Sequence, residues 1–229
     1  MFPISDSAKS GRIPLVTLAI ILANAYVFYQ QITVSNQESF IFQYALVPSS
    51  VNLLNPQTLI PFITSTFLHG GFFHILSNMW FLWIFGDNVV ARLGIIKFAL
   101  LYLAAGIAGN FAQFILTPGS DIPMLGASGA VSGVLGSYFI LFPSSSIKTF
   151  LFMFFFVTIT KIPAVIYIFY WFVIQLFSGI ISLPLTFAAA LIAFWAHVGG
   201  FVSGLIITRS FRMKKTEIIE YLWQIGWFK

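Results

Sequence analysis

The sequence predicts an all-α, polytopic membrane protein that crosses the bilayer six times. Hydrophobic residues make up 59% of its 229 positions and charged residues only 7%, with a mean hydropathy of +0.96; soluble domains carry about 25% charged residues. The long apolar runs lack the period-2 alternation of a membrane barrel, so helices, which satisfy their own backbone in lipid, are the expected spanning element. Cysteine is absent, which excludes a disulfide framework and thiolate chemistry. The net charge of +5 is not gathered into one patch. It fits membrane orientation and not a nucleic-acid partner.

Each element follows from the hydropathy profile. A polar segment, 1–12, with Asp6, Lys9 and Arg12, leads into an apolar span at 13–32. That span is long enough to cross a bilayer by the ~20-residue rule. No small-residue cleavage site follows it, so it reads as an uncleaved anchor. Residues 33–67 form a long connection whose apolar residues, among them Phe40, Phe42, Leu53 and Leu54, place part of it in the membrane interface. The second span runs from about 67 to 87 and the third from about 98 to 116. A polar loop through Asp121 leads to the fourth, about 126–142. Treating everything from 147 to 181 as one helix would exceed any bilayer. Residues 147–162 are therefore read as an interfacial connection and 163–177 as the fifth span. Residues 178–184 make a short uncharged turn before the sixth span, about 185–207. The membrane domain thus covers 13–208, and a basic tail occupies 209–229. On this path all eleven Lys and Arg residues fall on one side, and the other side carries only Glu38 and Asp121. The positive-inside rule then places both termini in the cytoplasm.

Ionisable groups inside a membrane are costly and mark function. The three histidines, His69, His74 and His197, all lie at the start of or inside spans. His74 and Asn78 share one helical face, and with Ser128 and His197 they come from three spans at a similar depth. As metal ligands the set is short, with no His-Glu-x-x-His, no cysteine and no nearby carboxylate; neither a metal nor another cofactor is expected.

Nucleophilic catalysis suits the set better. Ser128 stands at the mouth of a helix, where free N–H groups and the positive dipole end collect, and His197 is the available base outside span two. The Asn78 amide, the His74 ring and the Ser128 backbone N–H are suitable oxyanion donors. Asp87 lies about 20 Å further down span two, and Asp121 and Glu38 are loop residues, so a Ser–His dyad without a carboxylate is expected. The small residues have a packing reading of their own. Gly126, Gly129 and Gly133 give span four a surface that a second helix can approach closely, and Gly200 and Gly204 give span six its counterpart. Asn78, Ser132 and Ser137, taken singly, read as helix-packing residues.

Three stretches, His69-Gly-Gly-Phe-Phe-His-Ile-Leu-Ser-Asn78, Gly126-Ala-Ser-Gly129 and Ala196-His-Val-Gly-Gly-Phe201 with Gly204, resemble the rhomboid family of intramembrane serine proteases in order and placement. The resemblance is to the six-helix prokaryotic form. It implies that Ser128 is the nucleophile, His197 the general base and acid, and Asn78 and His74 the oxyanion side chains. It places His69 at the extracellular mouth, supporting water and geometry. The implied substrates are transmembrane proteins cut in or next to a membrane helix, with span five and 178–184 as lateral gate and cap. The implied location is a prokaryotic plasma membrane, with the site opening to the extracytoplasmic side.

The chain departs from the family pattern in three places: the first loop lacks a Trp-Arg pair, Ser132 stands where some members carry a tyrosine that stacks on the histidine, and Val90 replaces an acidic residue. A catalytically inactive client-binding relative is the alternative, although such relatives usually lose the serine or the histidine. A small transporter would need internal repeats, and none is visible. Membrane lipid is the other expected partner, and the oligomeric state is left open.

Overall fold

A computed structural model describes residues 1–8, 11, 14–153, 156–183 and 192–212. Along the chain, strand β1 (Phe2–Asp6) precedes helices α1 (Leu15–Thr33), α2 (Gln37–Tyr44), α3 (Pro61–Thr64), α4 (Phe72–Leu93), α5 (Ile95–Leu116) and α6 (Ser128–Leu141). Strands β2 (Ser146–Met153) and β3 (Phe156–Pro163) follow, and then α7 (Ala164–Ser182) and α8 (Phe194–Arg212).

The centre of the bundle is α6, with ten of its 14 residues buried. Its sequence, Ser-Gly-Ala-Val-Ser-Gly-Val-Leu-Gly-Ser, leaves so little side-chain bulk that neighbouring backbones rest directly on it. A Cβ added at Gly200 of α8 would lie 2.8 Å from the Gly129 carbonyl carbon and closer still to its oxygen. One added at Gly204 would meet the Gly133 carbonyl in the same way, 2.7 Å from its carbon. On the α5 side, a Cβ at Gly109 would lie 2.5 Å from the Ala196 oxygen. Larger side chains fill the rest of the core: Leu82, Phe85 and Val89 of α4, Phe98, Leu101 and Tyr102 of α5, Val134, Leu135 and Tyr138 of α6, and Tyr167 and Ile168 of α7.

The structure corrects the expected architecture in several places. The fold is mostly helical but not all-α. The 147–162 segment, expected as an interfacial connection, is the antiparallel hairpin β2–β3, and β1 from the 1–12 segment pairs antiparallel with β2. The hairpin alternates with period 2: Ile147 and Thr149 are buried, while Lys148, Phe150 and Phe152 face outward. Because both faces carry apolar residues, the alternation is hard to see as a hydropathy pattern. The sheet is fastened to α4 along its length. Phe2 stacks on Trp80 at 5.6 Å, the Trp80 indole donates to the Pro3 carbonyl at 2.7 Å, and Asn88 donates to Asp6 at 2.8 Å.

The six-span count is not reproduced among the described residues. Three helices, α1, α5 and α7, are long and apolar enough to cross a membrane; a fourth span results if Pro56–Phe67 and Phe72–Leu93, bent by 79°, are taken as one broken crossing. With 14 residues, α6 spans about 21 Å, less than the ~30 Å hydrocarbon core. The second crossing begins its regular helix at Phe72 and not near 67, which leaves His69 in the preceding turn. The expected turn at 178–184 is helical as far as Ser182. The first part of the expected sixth span, 185–191, lies outside the described residues, as do residue 184 of the expected turn and the tail from 213 onward.

Candidate active site

The approach to Ser128 is built by hydrogen bonds that fix the loop before α6. The Asn110 amide of α5 donates to the Phe62 carbonyl and the Ser65 hydroxyl, both at 2.9 Å. The Ser65 carbonyl in turn accepts the Gly126 N–H at 2.9 Å. Leu46 and Met124 exchange backbone hydrogen bonds at 3.0 and 2.8 Å, tying the first long connection to the loop before the serine. Gly126 has φ +133°, a conformation that L side chains rarely adopt. Ser128 follows as the first residue of α6, so its own N–H is one of the unpaired donors of the helix N-terminus. Ser132 donates its hydroxyl to the Ser128 carbonyl at 2.6 Å.

Helix α4 supplies two polar side chains. The Gly70 N–H donates to His74 Nδ1 at 3.2 Å. A nitrogen that accepts carries no proton, so in the neutral ring the proton resides on Nε2. A methyl at Gly126 would lie 2.8 Å from that Nε2 and 3.7 Å from Ser128 Oγ; the two atoms therefore border the same small space. The Asn78 amide donates one hydrogen to the His74 carbonyl at 3.0 Å, leaving its second N–H free for another acceptor.

Helix α8 carries His197. Its Nδ1 lies 2.7 Å from the Gln175 amide oxygen of α7. Its ring has Trp171 at 6.2 Å and an interplanar angle of 31°, and Phe194 at 6.3 Å edge-on. The start of α8 is held by Gln113 of α5, whose amide oxygen accepts the Trp195 N–H at 3.0 Å.

Ser128, His197, His74 and Asn78 all line one cavity of about 820 Å³, together with Trp171 and Gln175. No hydrogen bond joins Ser128 to His197 among the described residues. Catalytic hydrogen bonds are often long in a ligand-free site and tighten only with substrate. Gly129, Gly133, Gly200 and Gly204 stand where backbones of α6 and α8 touch.

His69 is placed differently from expectation. Its side chain is fully buried and does not line the cavity. Its ring stands edge-on to His74 at 5.2 Å and to Phe28 at 6.4 Å. Gln31 of α1 brackets its backbone, donating to the carbonyl at 2.6 Å and accepting the N–H at 3.1 Å. Asp121 accepts the Ser49 hydroxyl at 2.6 Å and does not line the cavity. Among the described residues no group of three or more His, Asp or Glu is placed to hold a metal ion.

Three residues that matter to this geometry, Gln31, Gln113 and Gln175, were not singled out from the sequence. Each is an amide in a strongly apolar helix, which is the signal available. Their partners lie 22 to 82 positions away along the chain, so the signal names a polar contact without naming with whom.

Comparison with known proteins agrees with the motif reading. The Rhomboid domain matches residues 56–214. Over 120 residues the chain is 38% identical to the mitochondrial presenilin-associated rhomboid-like protein of Mus musculus, covering 52% of this chain and 30% of that protein. It is 39% identical over 97 residues to the mitochondrial Rhomboid protein 1 of Saccharomyces cerevisiae, 41% of this chain and 28% of the relative. It is 33% identical over 153 residues to the Rhomboid protease GluP of Bacillus subtilis, 67% of this chain and 26% of the relative. The matched part thus spans under a third of each of these proteins. Two of the three are named as mitochondrial, and that overturns the expected prokaryotic plasma membrane with cytoplasmic termini. With the domain match covering well over half of its length, the chain belongs to the rhomboid family.

Proposed function

We propose that the chain is an intramembrane serine endopeptidase that hydrolyses peptide bonds in or next to transmembrane helices of other membrane proteins. The observation that carries this reading is the convergence of Ser128, His197, His74 and Asn78 on one cavity. Ser128 Oγ attacks the scissile carbonyl carbon and passes its proton to His197 Nε2. The oxyanion that forms meets the His74 Nε2–H, the free Asn78 N–H and the Ser128 backbone N–H, donors already in place before charge develops. His197 then returns its proton to the leaving amine, and water hydrolyses the acyl-enzyme with the same histidine as base.

The substrate class is supported by the protein's surface. Trp83 of α4, Ile166, Phe169 and Phe177 of α7 and Ile206 of α8 are exposed, apolar surface compatible with lipid and with another apolar helix. The activity belongs to the membrane domain, 13–208, flanked by 1–12 and 209–229. The names of the mitochondrial relatives support a mitochondrial membrane as the location, and the name of the Bacillus relative supports proteolysis.

The reading is tested by incubating wild type, Ser128→Ala and His197→Ala in detergent with a fluorescently labelled single-pass membrane protein. Cleavage by wild type and its loss in both variants is expected. Cleavage that persists in Ser128→Ala refutes the assignment, and binding without cleavage by wild type favours the inactive relative.

A further inference from the structure

The bond between His197 and Gln175 decides which ring nitrogen can act as a base. An amide oxygen only accepts, so the proton of the neutral imidazole sits on Nδ1, 2.7 Å from Gln175 Oε1. Nε2 then keeps its lone pair, the form a general base needs to take the proton from Ser128. In the other tautomer a proton on Nε2 would block that transfer.

We infer that Gln175 of α7 is a positioning residue for His197, holding the imidazole in the tautomer and rotation that general-base catalysis requires. The inference rests on Ser128 and His197 being nucleophile and base, and it adds a third, uncharged member to that pair. A further contact comes from the same side. Trp171, one turn earlier on α7, faces the His197 ring at 6.2 Å, so α7 fixes the ring plane through Trp171 and its rotation through Gln175. Helix α6 offers no comparable support, because the Ser132 hydroxyl is spent on the Ser128 carbonyl at 2.6 Å. No carboxylate competes for Nδ1: among the described residues lining the cavity, His74 is the other titratable group and there is no Asp, Glu, Lys or Arg. Histidine orientation is thereby assigned to a helix that carries neither the nucleophile nor the base.

The test compares Gln175→Leu, which removes the acceptor, with Gln175→Glu, which keeps it and adds charge. Cleavage of a labelled transmembrane substrate is measured as kcat and KM between pH 5 and 9. Gln175→Leu is expected to lower kcat about 10- to 100-fold with KM within threefold of wild type, short of the ~10⁴-fold loss that an inverted tautomer causes in a Ser-His-Asp triad. Gln175→Glu is expected to stay active at alkaline pH. Its acid limb should move upward by about one pH unit or more, because a carboxylate beside the ring favours the imidazolium. A purely structural role predicts similar losses in both variants with an unmoved acid limb, and that result overturns the inference.

A second readout needs no activity. In [15N]histidine-labelled Ser128→Ala protein, His197 should show the Nδ1–H tautomer, and adding Gln175→Leu should shift it toward Nε2–H. An Nε2–H signal with Gln175 intact overturns the inference. If Ser128→Ala still cleaved, the protease assignment would fail, while the nitrogen spectrum would still decide the role of Gln175. If Gln175→Leu did not fold, the pH limb of Gln175→Glu and the spectrum of the Gln175 protein would decide it.

Discussion

Gly200→Ala adds one methyl group at the point where the histidine helix meets the serine helix. The new Cβ would stand 2.8 Å from the Gly129 carbonyl carbon and 3.1 Å from its Cα, against a comfortable carbon–carbon contact of about 3.5 Å. The obstacle is backbone and has no rotamer to change. The α6 and α8 backbones must therefore part by at least about 0.7 Å, one residue beyond the serine and three beyond the histidine. A displacement of about 1 Å at a catalytic group can cost 10²-fold in rate, so kcat should fall about 10- to 100-fold. Overpacking should lower stability by about 1–3 kcal/mol. Alanine favours a helix over glycine by about 1 kcal/mol, so neither loss can be assigned to helix propensity. The assay is cleavage of a labelled transmembrane substrate, with thermal unfolding in the same detergent. Gly119→Ala serves as the control, since a Cβ there meets nothing within 4 Å. A Gly200→Ala enzyme within threefold of wild type would refute the claim that backbone contact sets the Ser128–His197 geometry.

Three other predictions follow from the packing and the polar contacts. A methyl at Gly133 would collide with Ala105 Cβ of α5, so Gly133→Ala should impair cleavage and Ala105→Gly should partly restore it; a double-mutant cycle should give a coupling of about 1 kcal/mol or more. Gln31→Leu removes both hydrogen bonds to the His69 backbone and should lower stability by about 2–4 kcal/mol, because buried backbone groups are left unpaired; an unchanged melting temperature would count against the clamp. Asp6 of β1 is pushed up to about 6, chiefly by burial and also by Asp87, with the hydrogen bonds from Tyr138 and Asn88 opposing the shift. The folded protein therefore holds this proton more tightly than the unfolded chain, so stability should fall as pH rises from about 4 to about 6 and then level off. Asp6→Asn should remove that slope in thermal unfolding.

The candidate site was more legible in the sequence than the architecture. His74, Asn78, Ser128 and His197 stand out because polar groups are rare in apolar spans, and the glycines beside them announce close helix packing. These local signals led to residues that share one cavity. The hairpin was hidden because its outward face is itself apolar, with Phe150 and Phe152 exposed, so strand alternation was masked by hydrophobicity on both sides. The interior position of His69 was not visible because it depends on Gln31, which lies 38 residues earlier in the chain. Gln175 escaped notice for the same reason. One amide in span five acquires meaning only when α7 lies against α8.

Covalent labelling tests the central claim, that Ser128 is a nucleophile activated by His197, most directly. Wild type, Ser128→Ala and His197→Ala would be treated in detergent with a fluorophosphonate probe, and the modified peptide located by mass spectrometry. A probe on Ser128 in wild type, absent from Ser128→Ala and strongly reduced in His197→Ala, is the predicted result. Equal labelling of Ser128 with and without His197, or labelling of a different residue in wild type, would contradict it.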